Sequence, residues 1–82
     1  MSDADANAID PDRWVEQYAD YLYRFALARV RDHHVARDLV QETMLAALKA
    51  KERYRGGAAE RTWLTGILKN KVVDYFRRGR RE

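Results

Sequence analysis

Asp38, Gln41 and Glu42 stand three and four positions apart, the spacing that gathers side chains on one face of a helix, with Leu39 and Val40 belonging to an apolar stripe on the other side. Together they form an acidic and amide patch suited to a basic, hydrogen-bonding partner. Ordinary solvation explains such a patch more simply, since an acid like Asp38 is favoured in the early turns of a helix. A second constellation begins at Tyr54 and Arg55, crosses Gly56-Gly57-Ala58-Ala59-Glu60, and continues through Arg61, Lys69, Asn70, Arg77 and Arg78. Aromatic, amide and cationic groups beside a glycine-rich loop are what single-stranded nucleic acid requires, because unstacked bases need a pocket while their phosphates need neutralising. Against this stands the plainer account of basic residues on solvated helix faces.

Other chemistry is poorly represented. His33 and His34 are neighbours, so they point to different sides of a turn or helix and cannot share a metal as an i, i+4 pair would. A solvated turn between helices suits them better. With no cysteine in the chain, disulfides, thiolate catalysis and cysteine zinc sites are excluded. No serine–histidine–acid set, phosphate-cradling glycine loop or carboxylate pair stands out. The expectation is a binding protein that is not an enzyme and needs no cofactor.

Three helices must position these groups. Residues 1–10 hold one large aliphatic residue besides the initiator Met, Ile9, and read as a flexible lead-in; 11–82 read as one domain, opened by Pro11 with Asp10 as its cap. Trp14, Tyr18, Tyr21, Leu22 and Phe25 repeat at three- and four-residue steps, widened by Leu27 and Val30, which predicts a helix to about Arg31. Asp32 is placed to cap a second helix carrying Val35, Leu39, Val40, Met44, Ala47 and Leu48, ending near Lys51 or Glu52. Paired glycines at 56 and 57 break the pattern. Beyond them Trp63, Leu64, Ile67, Leu68, Val72, Tyr75 and Phe76 mark a third helix closing near Gly79. Gly66 costs this helix about 1 kcal/mol against Ala, and either admits another backbone or is simply tolerated. No segment alternates as a strand does. The predicted fold is therefore all-α, a compact bundle of three main amphipathic helices around Trp14, Tyr18, Phe25, Leu39, Leu48, Trp63, Ile67 and Tyr75.

At 82 residues the chain suffices for one small domain, and 46% apolar with 35% charged residues describes a globule rather than a disordered segment. The net charge of +3 conceals a gradient: −5 over 1–22, +2 over 23–50 and +6 over 51–82. A polyanion beside the C-terminal half is the natural counterpart. No stretch approaches the ~20 apolar residues of a membrane span, and the acidic start lacks the basic and apolar regions of a secretory signal. A cytoplasmic protein is expected, without a membrane partner.

The run Asp38-Leu39-Val40-Gln41-Glu42-Thr43, followed by Tyr54-Arg55-Gly56, Thr62-Trp63-Leu64, Ile67, Asn70, Asp74 and Arg77, resembles region 2 of bacterial RNA polymerase sigma factors, specifically the small extracytoplasmic-function (ECF) group of the sigma-70 family. The resemblance covers about Trp14 to Arg81. It implies that Asp38, Gln41 and Glu42 dock on the β′ clamp helices of the polymerase core. By the same resemblance, the loop from Tyr54 to Glu60 and the following helix capture the non-template strand of the melted promoter −10 element, a flipped base being held in a loop pocket with Asn70 at the base-contacting position. Phosphate contacts would then fall to Arg61, Lys69, Arg77 and Arg78, and base choice to Asn70 and Gly57, Ala58, Ala59 and Glu60.

Several positions depart from the family's pattern. Glu60 stands where an apolar loop residue is usual, Gly57-Ala58-Ala59 replaces a more polar stretch, and Gly66 and Leu68 replace a common Arg and Ala. These bear on the preferred −10 bases and leave the docking motif intact. The family also resembles two helical domains, the second a helix-turn-helix (region 4) reading the −35 element. With that domain absent, the chain is expected to be a piece of a longer protein. Two other classes remain open on the residues alone: a helical protein-interaction module whose arginines only solubilise it, and a nonspecific nucleic-acid-binding bundle. An anti-sigma factor is a possible further partner that the sequence does not identify.

Overall fold

A computed structural model describes residues 11–54 and 59–79. Three helices account for nearly all of them: α1 (Pro11–Val30), α2 (His33–Ala50) and α3 (Glu60–Gly79), with a 3-10 turn over Lys51–Arg53 after α2. Each follows the predicted apolar period. The lead-in, the Asp10 cap and the arginines at 80 and 81 lie outside the described residues.

The corner between α1 and α2 takes only two residues. Arg31 adopts a left-handed conformation (φ 55°) and its N–H donates to the Leu27 carbonyl at 2.8 Å, closing the last turn of α1 one residue before the predicted end. Asp32 is then extended (φ −146°, ψ 119°) and its carboxylate accepts from the Val35 N–H at 3.0 Å, the predicted cap. His33 is less idle than a solvated turn residue. Its Nδ1 pairs with the Tyr23 hydroxyl at 2.5 Å and its ring stacks on that of Tyr23, tying the start of α2 to α1.

α2 packs against both other helices, and α1 also touches α3. The core between them comprises Trp14, Leu22 and Ala26 from α1, Ala36, Leu39, Val40 and Ala47 from α2, and Leu64, Leu68 and Val72 from α3. Spacings of three and four residues keep each set on one stripe. Enclosed alanines at 26, 36 and 47 let the helix backbones approach closely.

The predicted core needs one correction. Leu48 is 41% exposed, because the buried stripe of α2 runs through Ala36, Leu39, Val40, Thr43 and Ala47, and the next position turns about 100° away from it. Trp14 and Leu39 are buried as expected, whereas Tyr18, Phe25, Trp63, Ile67 and Tyr75 are half-buried and pack around the core. Thr43 is fully enclosed, and its hydroxyl has no hydrogen-bond partner.

Candidate polymerase and nucleic-acid interfaces

Asp38, Gln41 and Glu42 are all exposed on α2, on the side opposite its buried stripe. No ion pair occupies either carboxylate among the described residues. The patch is flanked by two depressions of different character. Gln41 borders an apolar groove of about 460 Å³ between α1 and α2, lined also by Val15, Ala19, Val40, Met44 and Leu45. Glu42 borders a cleft of about 280 Å³ between α2 and α3, with Leu39, Lys71, Tyr75 and Arg78. An amide beside an apolar groove and a carboxylate beside two cations make a surface with more than one means of recognition.

Aromatic contacts join Tyr54 to the first turn of α3 and, through it, to α1. Tyr54 stacks on Trp63 with ring centres 4.7 Å apart, and Trp63 meets Trp14 edge-on at 5.7 Å. On the far side, Glu60 accepts hydrogen bonds from Trp14 Nε1 and from the Tyr18 hydroxyl, each at 3.3 Å. Glu60 thus opens α3 rather than ending the loop, and its carboxylate reaches α1. Burial, followed by the charge of Glu60 and its hydrogen bond, raises the Tyr18 phenol above its ordinary value of 10.0. Of the predicted loop residues, Arg55, Gly57 and Ala58 lie outside the described residues, while Ala59 is exposed and its carbonyl accepts the Trp63 N–H at 3.0 Å.

The predicted phosphate-binding set divides over two sides of α3. Arg61 and Lys69 face α1, where they line a notch of about 260 Å³ with Tyr21, Thr62, Thr65 and Gly66. Asn70 and Arg77 are exposed; Arg77 lies 4.0 Å from Asp74, a pair too loose and too wet to sequester the guanidinium. Arg78 turns instead toward the cleft beside Glu42. The basic end therefore serves both the α3 surface and the margin of the acidic patch. Gly66 admits no neighbouring backbone: a Cβ built there meets no atom within 4 Å.

Three features escaped the sequence reading. Tyr21, assigned to the apolar stripe of α1, is 40% exposed, with the Arg61 guanidinium carbon 5.0 Å from its ring centre. Arg29 lies over Phe25 at 3.6 Å while donating to its carbonyl, which shields that ring's outer face. The anchoring role of Glu60 was the third, and its only sequence signal was an acid where an apolar residue is usual. Among the described residues no three His, Cys, Asp or Glu side chains converge as metal ligands would, and no helix is long and apolar enough to cross a membrane.

Comparison with known proteins places the chain in a family. The Sigma-70 region 2 family matches residues 14–82. A probable RNA polymerase sigma factor of Haemophilus influenzae is 38% identical over 63 residues, 77% of this chain and 32% of that protein. The ECF RNA polymerase sigma factors SigX and SigM of Bacillus subtilis are each 32% identical, SigX over 77% of this chain and 32% of its own length, SigM over 87% and 43%. The chain thus spans about a third to two-fifths of these relatives. No solved structure matches it significantly. With the family match running from Trp14 through all three helices, the chain belongs to the sigma-70 family, as a region 2 domain of the ECF group.

Proposed function

We propose that this chain is the module by which a sigma factor docks on RNA polymerase and captures the melted −10 element during transcription initiation. It works by binding, without covalent chemistry. Asp38, Gln41 and Glu42 engage the β′ clamp helices of the core enzyme. Asn70 and the loop before α3 select a base of the non-template strand, and Arg61, Lys69, Arg77 and Arg78 neutralise its phosphates. The observation that carries this reading is the exposure of all three docking residues on α2, unpaired and backed by the core. The acidic patch on α2 and the Arg61–Lys69 notch between α1 and α3 lie apart, which suits distinct protein and nucleic-acid contacts, while Arg78 stands at the margin between them beside Glu42.

A pull-down with a β′ clamp-helix fragment tests the docking half. Removing one partner of an interfacial charge contact that becomes desolvated costs about 2–5 kcal/mol, so Asp38→Ala or Glu42→Ala should weaken capture by well over tenfold. Undiminished capture by both variants, with helicity intact by circular dichroism, would overturn the assignment.

A further inference from the structure

The notch between α1 and α3 contains an aromatic ring that the proposed strand-capturing set does not use. Tyr21 is 40% exposed on α1, and Arg61, Thr65 and Lys69 follow one another along the facing edge of α3 at four-residue intervals. The Thr65 hydroxyl donates to the Arg61 carbonyl at 2.6 Å, so it serves the helix, and the cations are left to meet a ligand. Gly66 leaves the outer lip open, since a side chain added there would project into empty space. Arg61 rests 5.0 Å from the Tyr21 ring centre, a looser seat than the 3.6 Å of Arg29 on Phe25. The two pairs differ in consequence: the Phe25 ring is covered, whereas the face of Tyr21 can be vacated by a small movement of an exposed side chain.

We infer that Tyr21 is a stacking platform for one base of single-stranded DNA, with Arg61 and Lys69 taking the phosphates on either side of it. The inference rests on the strand-capturing reading above and adds a contact from α1 to a surface otherwise built on α3. In the free chain the guanidinium of Arg61 partners the ring as a cation over its π face. When a strand arrives, Arg61 pivots to a phosphate and a base takes the ring face. An aromatic ring between two cations, with an open lip, suits an unstacked nucleotide, whereas in a duplex each base is already stacked on its neighbours. Every base has a π face, so Tyr21 supplies affinity without choosing sequence. That separates its contribution from the base selection given to Asn70.

Fluorescence anisotropy at low salt tests the inference. The probes are a labelled oligodeoxythymidylate of about 12 nucleotides, within the footprint of small single-strand binders, and a matched strand whose central residues are abasic. Abasic residues keep the phosphates and remove the bases. Tyr21→Ala is expected to weaken the base-bearing strand about tenfold and leave the abasic strand unchanged. Tyr21→Phe retains the ring and should bind like the parent chain. Gly66→Leu fills the lip without altering charge or α1, and should weaken the base-bearing strand as Tyr21→Ala does. Circular dichroism melts confirm that each variant is folded. An unchanged affinity in Tyr21→Ala, or equal losses on the two strands, overturns the stacking role while the strand-capturing reading stands. Failure of the parent chain to bind either strand overturns both.

Discussion

Replacing Glu60 by Ala should destabilise the domain by about 2–3 kcal/mol. Glu60 accepts from Trp14 Nε1 and from the Tyr18 hydroxyl, both at 3.3 Å, at the long end for hydrogen bonds. The two donors lose differently. Trp14 is 1% exposed, so its indole N–H would be left without its partner on a buried residue, at about 1–3 kcal/mol. Tyr18 is half-buried and can turn to solvent, which limits its loss to about 0.5–1 kcal/mol. An acid in the first turn of α3 also interacts favourably with the helix dipole, and that is worth about 0.3–1 kcal/mol at a partly exposed position. Because the bonds are long and the carboxylate is partly wet, the sum belongs toward the low end of these ranges. Glu60→Gln keeps an acceptor oxygen but loses the charge, so it should cost only about 1 kcal/mol. Urea denaturation followed by circular dichroism measures all of this, with the slope checked for constancy so that the midpoint shift reports stability alone. Adding Tyr18→Phe should expose a coupling of about 0.5 kcal/mol or more with Glu60→Ala, since the two residues share one hydrogen bond. A loss under about 0.5 kcal/mol in Glu60→Ala would show that the carboxylate does not join α1 to α3, and equal losses in Ala and Gln would refute the hydrogen-bond share of this estimate in favour of charge alone.

Two further perturbations address the core and alkaline pH. Thr43→Val should raise stability by about 1 kcal/mol, because the hydroxyl is enclosed without a partner and valine has the same shape; thermal melts would refute this if the variant melted lower. The raised Tyr18 phenol means that the folded state holds this proton more tightly than the unfolded chain does. Its contribution is fully present below the unfolded value of about 10 and is lost as pH rises through the higher folded value, so Tyr18→Phe should flatten the fall in stability above about pH 10, measured as urea midpoints.

Legibility in this sequence followed the range of the interactions. The apolar stripes, the Asp32 cap and the exposure of Asp38, Gln41 and Glu42 all depend on neighbours within one turn, so helical spacing reveals them. Leu48 shows where that logic stops. It follows Met44 by four residues and so passes for a member of the stripe, yet it lies about 100° from Ala47, at an edge where only the extent of the other helices decides whether a residue is covered. Tyr21 failed for the same reason, lying in the stripe of α1 but against the open notch where Arg61 is its neighbour.

What the amino-acid order settled by itself was therefore the helices, their inward faces and the residues certain to meet solvent, since each is a property of local periodicity and side-chain chemistry. Only tertiary packing could join Glu60 to Trp14 and Tyr18, 46 and 42 positions away, and make an apparently misplaced acid the link between α1 and α3. The same packing sent Arg78 to the cleft beside Glu42 and Arg61 to the ring of Tyr21, although both read as one basic set. Residues far apart in the chain meet according to how the helices cross and which grooves they close, and no spacing within a single helix encodes that geometry.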